Sequence, residues 1–133
     1  MASLVVDTHA LIWYLFGSPR LSATARDQID RALDAGDSVY VPAVSLVELT
    51  YLVEKGRLPA IARTRLTELL DDSESGLVLA PLDRGTADAV ARIGRDNVPD
   101  MPDRIIAATA LHLHLPLVTR DRKIRAADLE TIW

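Results

Sequence analysis

The chain contains no cysteine, which removes disulfides, thiol nucleophiles and cysteine-based zinc sites from consideration at once. Any metal it holds must be bound by oxygen or imidazole. It also lacks a long apolar run, since none approaches the roughly 20 residues that span a bilayer. The apolar start MASLVVDTHALIWYLF is broken by Asp7 and His9 and carries neither a basic leader nor a small-residue cleavage site. The expectation is a cytoplasmic protein with no membrane association. Positive charge is in short supply too, and a formal net charge of -4 argues against bulk attraction to polyanions. Only Lys55 and Lys123 of the 15 basic residues are lysines. The tract Arg120, Arg122, Lys123, Arg125 concentrates four cations within six positions. Arginine is the better fork for phosphate, although such a run is more often a solvated helical face.

What is present suits one compact domain over residues 1–133, with 49% hydrophobic residues to build its core. Short apolar runs with β-branched residues at Ser3–Val6, Val39–Val41, Leu77–Leu79 and Leu115–Thr119 predict buried strands, and a last strand is expected at Glu130–Trp133. Helical periodicity occupies Thr8–Phe16, Ser22–Ala35, Val44–Lys55, Ala60–Asp72, Arg84–Asp96 and Arg104–His114. Ser22 is placed to cap a helix, and Gly36 and Gly56 follow helix ends. Strands joined by helical crossovers imply an α/β fold, a three-layer α/β/α sandwich with a mainly parallel sheet.

Open parallel sheets bind ligands beyond the carboxyl ends of their strands, and acids fall there. Asp7 follows the first strand and Asp121 lies two residues past LPLVT. Each alone suits a helix N-cap; as a pair on one rim they suggest more. Glu48 sits inside VSLVELTYLV with Val44 and Leu52 at i-4 and i+4, a stripe that should face the core side. A carboxylate there needs protonation, a cationic partner or a metal. Asp103 opens a helix in PDMPDRIIAATAL, with Asp100 three residues before it. If Asp7, Glu48, Asp103 and Asp121 converge, a divalent cation relieves their repulsion, and all-oxygen ligation points to Mg²⁺ or Mn²⁺. Such a site suits phosphodiester hydrolysis without a side-chain nucleophile. His9 is close enough in sequence to face it, whereas His112 and His114 read as helix-terminal residues.

The segments VVDTHALIWYL, VPAVSLVELTYLVEKGRL, PDMPDRIIAATAL and LPLVTRD resemble the PIN-domain family and, within it, VapC-type toxins of bacterial toxin–antitoxin pairs. The likeness runs from near Leu4 to Trp133 and is least specific over Ala60–Asn97. It places the family's four acids on Asp7, Glu48, Asp103 and Asp121. It implies a PIN-like fold and an endoribonuclease dependent on Mg²⁺ or Mn²⁺ that cuts RNA. It further implies a homodimer silenced by a small cognate antitoxin, and a contact role for Thr119 beside the metal. One departure is Val98-Pro99-Asp100-Met101-Pro102 where many relatives carry His-Asp-Pro before the third acid, which leaves the role of Asp100 open.

Two other readings share these features. A receiver or phosphotransferase also gathers acids at a sheet rim, but it needs a second acid beside the first strand's Asp and a lysine at a late strand end, where Thr8 and Thr119-Arg120 stand. A regulatory RNA-binding module of the same fold is expected to lose an acid, and none is missing. Finally, His9–Phe16 carries more large apolar residues than one buried face of two turns hides. The surplus either lines a groove for a partner helix or, for Trp13 and Tyr14, fills the core.

Overall fold

The structure, a computed structural model, describes residues 2–133. Strand β1 (Leu4–Val6) is buried on both faces. Leu4 and Val6 enter one apolar core while Val5 enters a second, as alternation along a strand with both faces covered requires. The first core packs β1 with α1 (Thr8–Leu15), α2 (Ala23–Asp34), α3 (Ala43–Glu54) and α4 (Ala60–Asp71). The second packs the other face with α5 (Arg84–Ala89), α6 (Met101–Leu113) and α7 (Arg122–Arg125). The expected three-layer α/β/α sandwich results.

The remaining strands are β2 (Val39–Pro42), β3 (Leu77–Ala80), β4 (Leu117–Val118) and β5 (Thr131–Ile132), and the order across the sheet is β3-β2-β1-β4-β5. Every pairing is parallel, with Val5 opposite Tyr40 on one side and Leu117 on the other. The chain builds outward from β1 to β3, crosses back, and builds outward again through β4 to β5. The order therefore reverses between β1 and β4, where the diverging connections leave a crevice.

Two element boundaries lie three or more residues from the expected ones, and one short helix is additional. Helix α5 stops at Ala89 and tightens into one 3-10 turn over Val90–Arg92 instead of running to Asp96. Arg104 draws the carbonyls away, because its guanidinium donates to Val90 O at 2.9 Å and Ile93 O at 2.9 Å. Helix α6 begins at Met101, three residues earlier than Arg104, because Asp100 caps it: Asp100 Oδ2 accepts from the Asp103 amide at 3.1 Å. Pro102 fits the first turn, where its missing N–H is not needed. Within the basic tract, Arg122–Arg125 forms the separate short helix α7, capped by Asp121.

The apolar surplus of α1 belongs to the core. Ala10, Leu11, Ile12 and Trp13 are all buried, and only Phe16, just past the helix end, is exposed among the large apolar residues there. Of the two readings open for these residues the core takes most of them, and α1 reaches the groove beside α3 only through Thr8 and His9. Among the described residues no helix is long and apolar enough to cross a membrane.

Candidate active site

The crevice at the strand-order reversal is where the acids stand. Asp7 leaves β1 directly into α1, and its buried carboxylate caps that helix by accepting from the Ala10 amide at 2.8 Å. Asp121 leaves β4 through Thr119 and caps α7, accepting from the Lys123 amide at 2.8 Å. Thr119, fully buried, ties the two together: its hydroxyl oxygen accepts from the Asp121 amide at 3.0 Å and its hydrogen bond to Asp7 favours the ionised carboxylate. Asp103 projects from the first turn of α6 into the same opening, and a cleft of about 370 Å³ is lined by Asp7, Asp103, Asp121, His9, Trp13, Arg20 and Arg120.

Electrostatics register the gathering. Asp103 is pushed up to about 7, first by burial and then by repulsion from Asp100, Asp121, Glu48 and Asp7 in that order. Asp7 is also raised, mainly by burial, against the lowering effect of Thr119 and Ala10. Burial leads in both cases, and like charge from neighbouring carboxylates adds to it, most strongly at Asp103.

Residues 4–129 match the family described as the PIN domain. The chain belongs to the PIN-domain family. It is 31% identical over 128 residues to Ribonuclease VapC22 of Mycobacterium tuberculosis (strain ATCC 25618 / H37Rv), a match covering 95% of this chain and 92% of that protein. FitAcB from Neisseria gonorrhoeae is similar in structure, with a TM-score of 0.64 at 27% identity, covering 96% of this chain and 95% of that one. VapBC2 from Rickettsia felis, bound to a DNA fragment from their promoter, shares the fold with a TM-score of 0.72 at 16% identity, covering 98% of this chain and 99% of that one. The resemblance carried by the four motifs is a kinship with VapC-type PIN proteins.

Within this PIN fold Glu48 stands slightly apart from the three aspartates. Its carboxylate accepts from Thr8 Oγ1 at 2.6 Å, and the Thr8 and Ser45 hydroxyls are bonded to each other at 2.8 Å. The stripe through Glu48 is only partly covered: Val44 and Leu52 pack against the edges of the two cores, while the fully buried residues of α3 are Ser45 and Leu49. On their outer side Val44, Val47, Glu48, Tyr51 and Leu52 line an open groove of about 490 Å³ together with Met101 and Pro102. An α-helix apolar on nearly every side gives no hint which side is covered. His9 is exposed and borders both cleft and groove. His112 lies in the last turn of α6 and His114 terminates it in the left-handed region at φ 57°.

The donor set of this PIN chain fits a hard divalent cation, being all carboxylate with a surplus of negative charge. The four acids gather at one rim without closing on a point: among the described residues no three His, Asp or Glu side chains form a group ready to hold an ion. Thr8 holds Glu48 on the groove side. Asp100, left open by the sequence, has two effects, capping α6 and raising Asp103. Arg20, Ser45 and the pairing of Arg120 with Trp13 escape a sequence reading, because nothing local distinguishes Arg20 from any loop arginine or Trp13 from any core aromatic.

Proposed function

We propose that residues 1–133 act as one nuclease domain, a metal-dependent endoribonuclease that hydrolyses RNA phosphodiester bonds through Asp7, Glu48, Asp103 and Asp121. The observation that carries this reading is the gathering of carboxylates from β1, α3, α6 and the end of β4 at one rim, where burial first and the repulsion of its acidic neighbours second lift Asp103 to about 7. Mg²⁺ or Mn²⁺ held by these four residues would offset their charge, lower the pKa of an attacking water and stabilise charge developing on the phosphate oxygens. The chain's own part is to hold the carboxylates at fixed positions. The α1 cap fixes Asp7, the α7 cap and Thr119 fix Asp121, and the Thr8–Ser45 pair fixes Glu48. Kinship with a protein named a ribonuclease supports the substrate class.

The biological role we assign is the toxin of a cytoplasmic toxin–antitoxin pair, active as a homodimer. Relatives solved as toxin–antitoxin complexes support it. So does the groove beside Glu48, whose Val47, Tyr51 and Met101 are 55%, 58% and 68% exposed. A small antitoxin with an amphipathic helix would cover that apolar floor and extend a cationic side chain to the acids beside it. A second reading, a regulatory RNA-binding module, is favoured by the open spacing of the acids. Incubation of the purified chain with labelled RNA separates the two. Cleavage abolished by chelator, restored by Mg²⁺ or Mn²⁺ and lost in Asp7→Asn, Glu48→Gln and Asp103→Asn supports the nuclease. Cleavage that survives chelation or these substitutions overturns it, and RNA binding without cleavage supports the module.

A further inference from the structure

The cleft that holds three aspartates is also lined by two guanidiniums, Arg20 from the loop after α1 and Arg120 from the turn after β4. Arginines placed only to balance charge pair with the carboxylates. Among the described residues neither one does: the ion pairs are Arg31–Asp27, Arg84–Asp88 and His112–Asp83, all remote from the cleft. Arg120 is instead seated over the face of Trp13, its guanidinium carbon 4.8 Å from the ring centroid. That ring cannot swing away. Trp13 is only 9% exposed, with Trp133 edge-on at 6.0 Å and His9 tilted against it at 5.6 Å. A cation on a braced aromatic face loses little freedom on binding and keeps its N–H edge free for two parallel hydrogen bonds. Arg122 and Lys123 of the basic tract go elsewhere, lining a separate hollow with Asp96 and Asn97.

We propose that Arg120, held in place by Trp13, grips a backbone phosphate of the RNA strand next to the one being cut, with Arg20, which lines the same cleft, contacting the strand as well. This rests on the nuclease reading and names the residues that seat its substrate. A bidentate arginine–phosphate contact fixes the strand's register over the carboxylates without reading sequence. It also supplies the local positive charge that the chain as a whole, at -4, does not. Trp13 acts through Arg120 and is a positioning residue.

The test uses the full chain carrying Asp103→Asn, which binds without cutting, and a single-stranded oligoribonucleotide titrated across a series of salt concentrations. Adding Arg120→Gln or Arg20→Gln is expected to weaken binding about tenfold and flatten the dependence of log affinity on log salt by about 0.7 for each phosphate that is no longer neutralised. Arg120→Lys keeps the salt slope and loses part of the affinity, because the charge remains and the planar fork does not. Trp13→Phe, which retains a ring, gives the same affinity loss as Arg120→Lys. Arg122→Gln leaves both quantities as in the parent. An Arg120→Gln protein with parental affinity and slope overturns the proposal, while metal-dependent cleavage by the unmodified chain still supports the nuclease. An Arg120→Gln protein that binds RNA normally but fails to bind its protein partner overturns it in favour of an acidic partner side chain. No RNA binding by the parent, with no cleavage by the unmodified chain, removes both readings together.

Discussion

At Asp103, burial and neighbouring carboxylates raise the carboxyl from 3.8 to about 7. Without metal the folded chain therefore keeps a proton at pH values where the unfolded chain has released it. Stability then falls as pH rises from about 4 to about 7, the reverse of the usual carboxylate behaviour. Asp7, also raised, acts in the same direction. Thermal unfolding in chelator should show the melting temperature dropping across that window, and Asp103→Asn should flatten the drop while raising the melting temperature at neutral pH. A wild-type profile that is level across the window contradicts this. Thr119 offers a second residue-scale prediction. Thr119→Val keeps the shape but leaves the Asp121 amide without its acceptor, so denaturant unfolding should register a loss of about 1–3 kcal/mol. In the sequence, Asp7 and Asp121 are visible as acids after apolar runs. The Thr119 bridge is not, because it depends on β1 and β4 lying side by side.

At the scale of elements, α6 carries the most chemistry and is defined at both ends by unusual residues. Its N-cap, Asp100, stabilises the helix and also repels Asp103. Asp100→Asn separates the two effects, since asparagine caps about as well as aspartate. The expected outcome is unchanged melting of the fold and a lower Asp103 pKa, read by carboxyl NMR titration. The residue that caps its C-terminus, His114, sits at φ 57°, a conformation that costs a side-chain-bearing residue about 1–2 kcal/mol. His114→Gly should raise the melting temperature by roughly 3 °C, and no change would mean that His114 relieves its strain by other contacts. The existence of α6 is legible from its apolar period. Its start is not, because Asp100 and Asp103 are both good caps and only the path of the chain decides between them. The early end of α5 is hidden for a similar reason, since the group that takes its carbonyls is Arg104, eleven residues beyond Ile93.

At the scale of the whole molecule, a cation that binds the folded site and not the unfolded chain adds stability by mass action. Mn²⁺ at about a hundred times its dissociation constant should add about 2.7 kcal/mol, seen as a concentration-dependent rise in melting temperature that Asp7→Asn and Glu48→Gln diminish. The groove on α3 and α6 should respond separately: Val47→Glu or Tyr51→Glu, at exposed positions on its floor, should weaken a partner complex in co-purification while leaving metal-dependent RNA cleavage intact. Loss of cleavage in both would tie groove and site into one unit. The layered α/β architecture, the family and the position of acids after strand ends were legible in the sequence alone, because apolar period, turn chemistry and acids at strand ends are local properties written into short segments. That Glu48 opens on a groove, that α1 is spent largely in the core, that Asp100 caps α6 and that Arg120 rests on Trp13 follow from packing alone. Each of these depends on which surface another element covers, and that is set by packing between segments far apart in the chain.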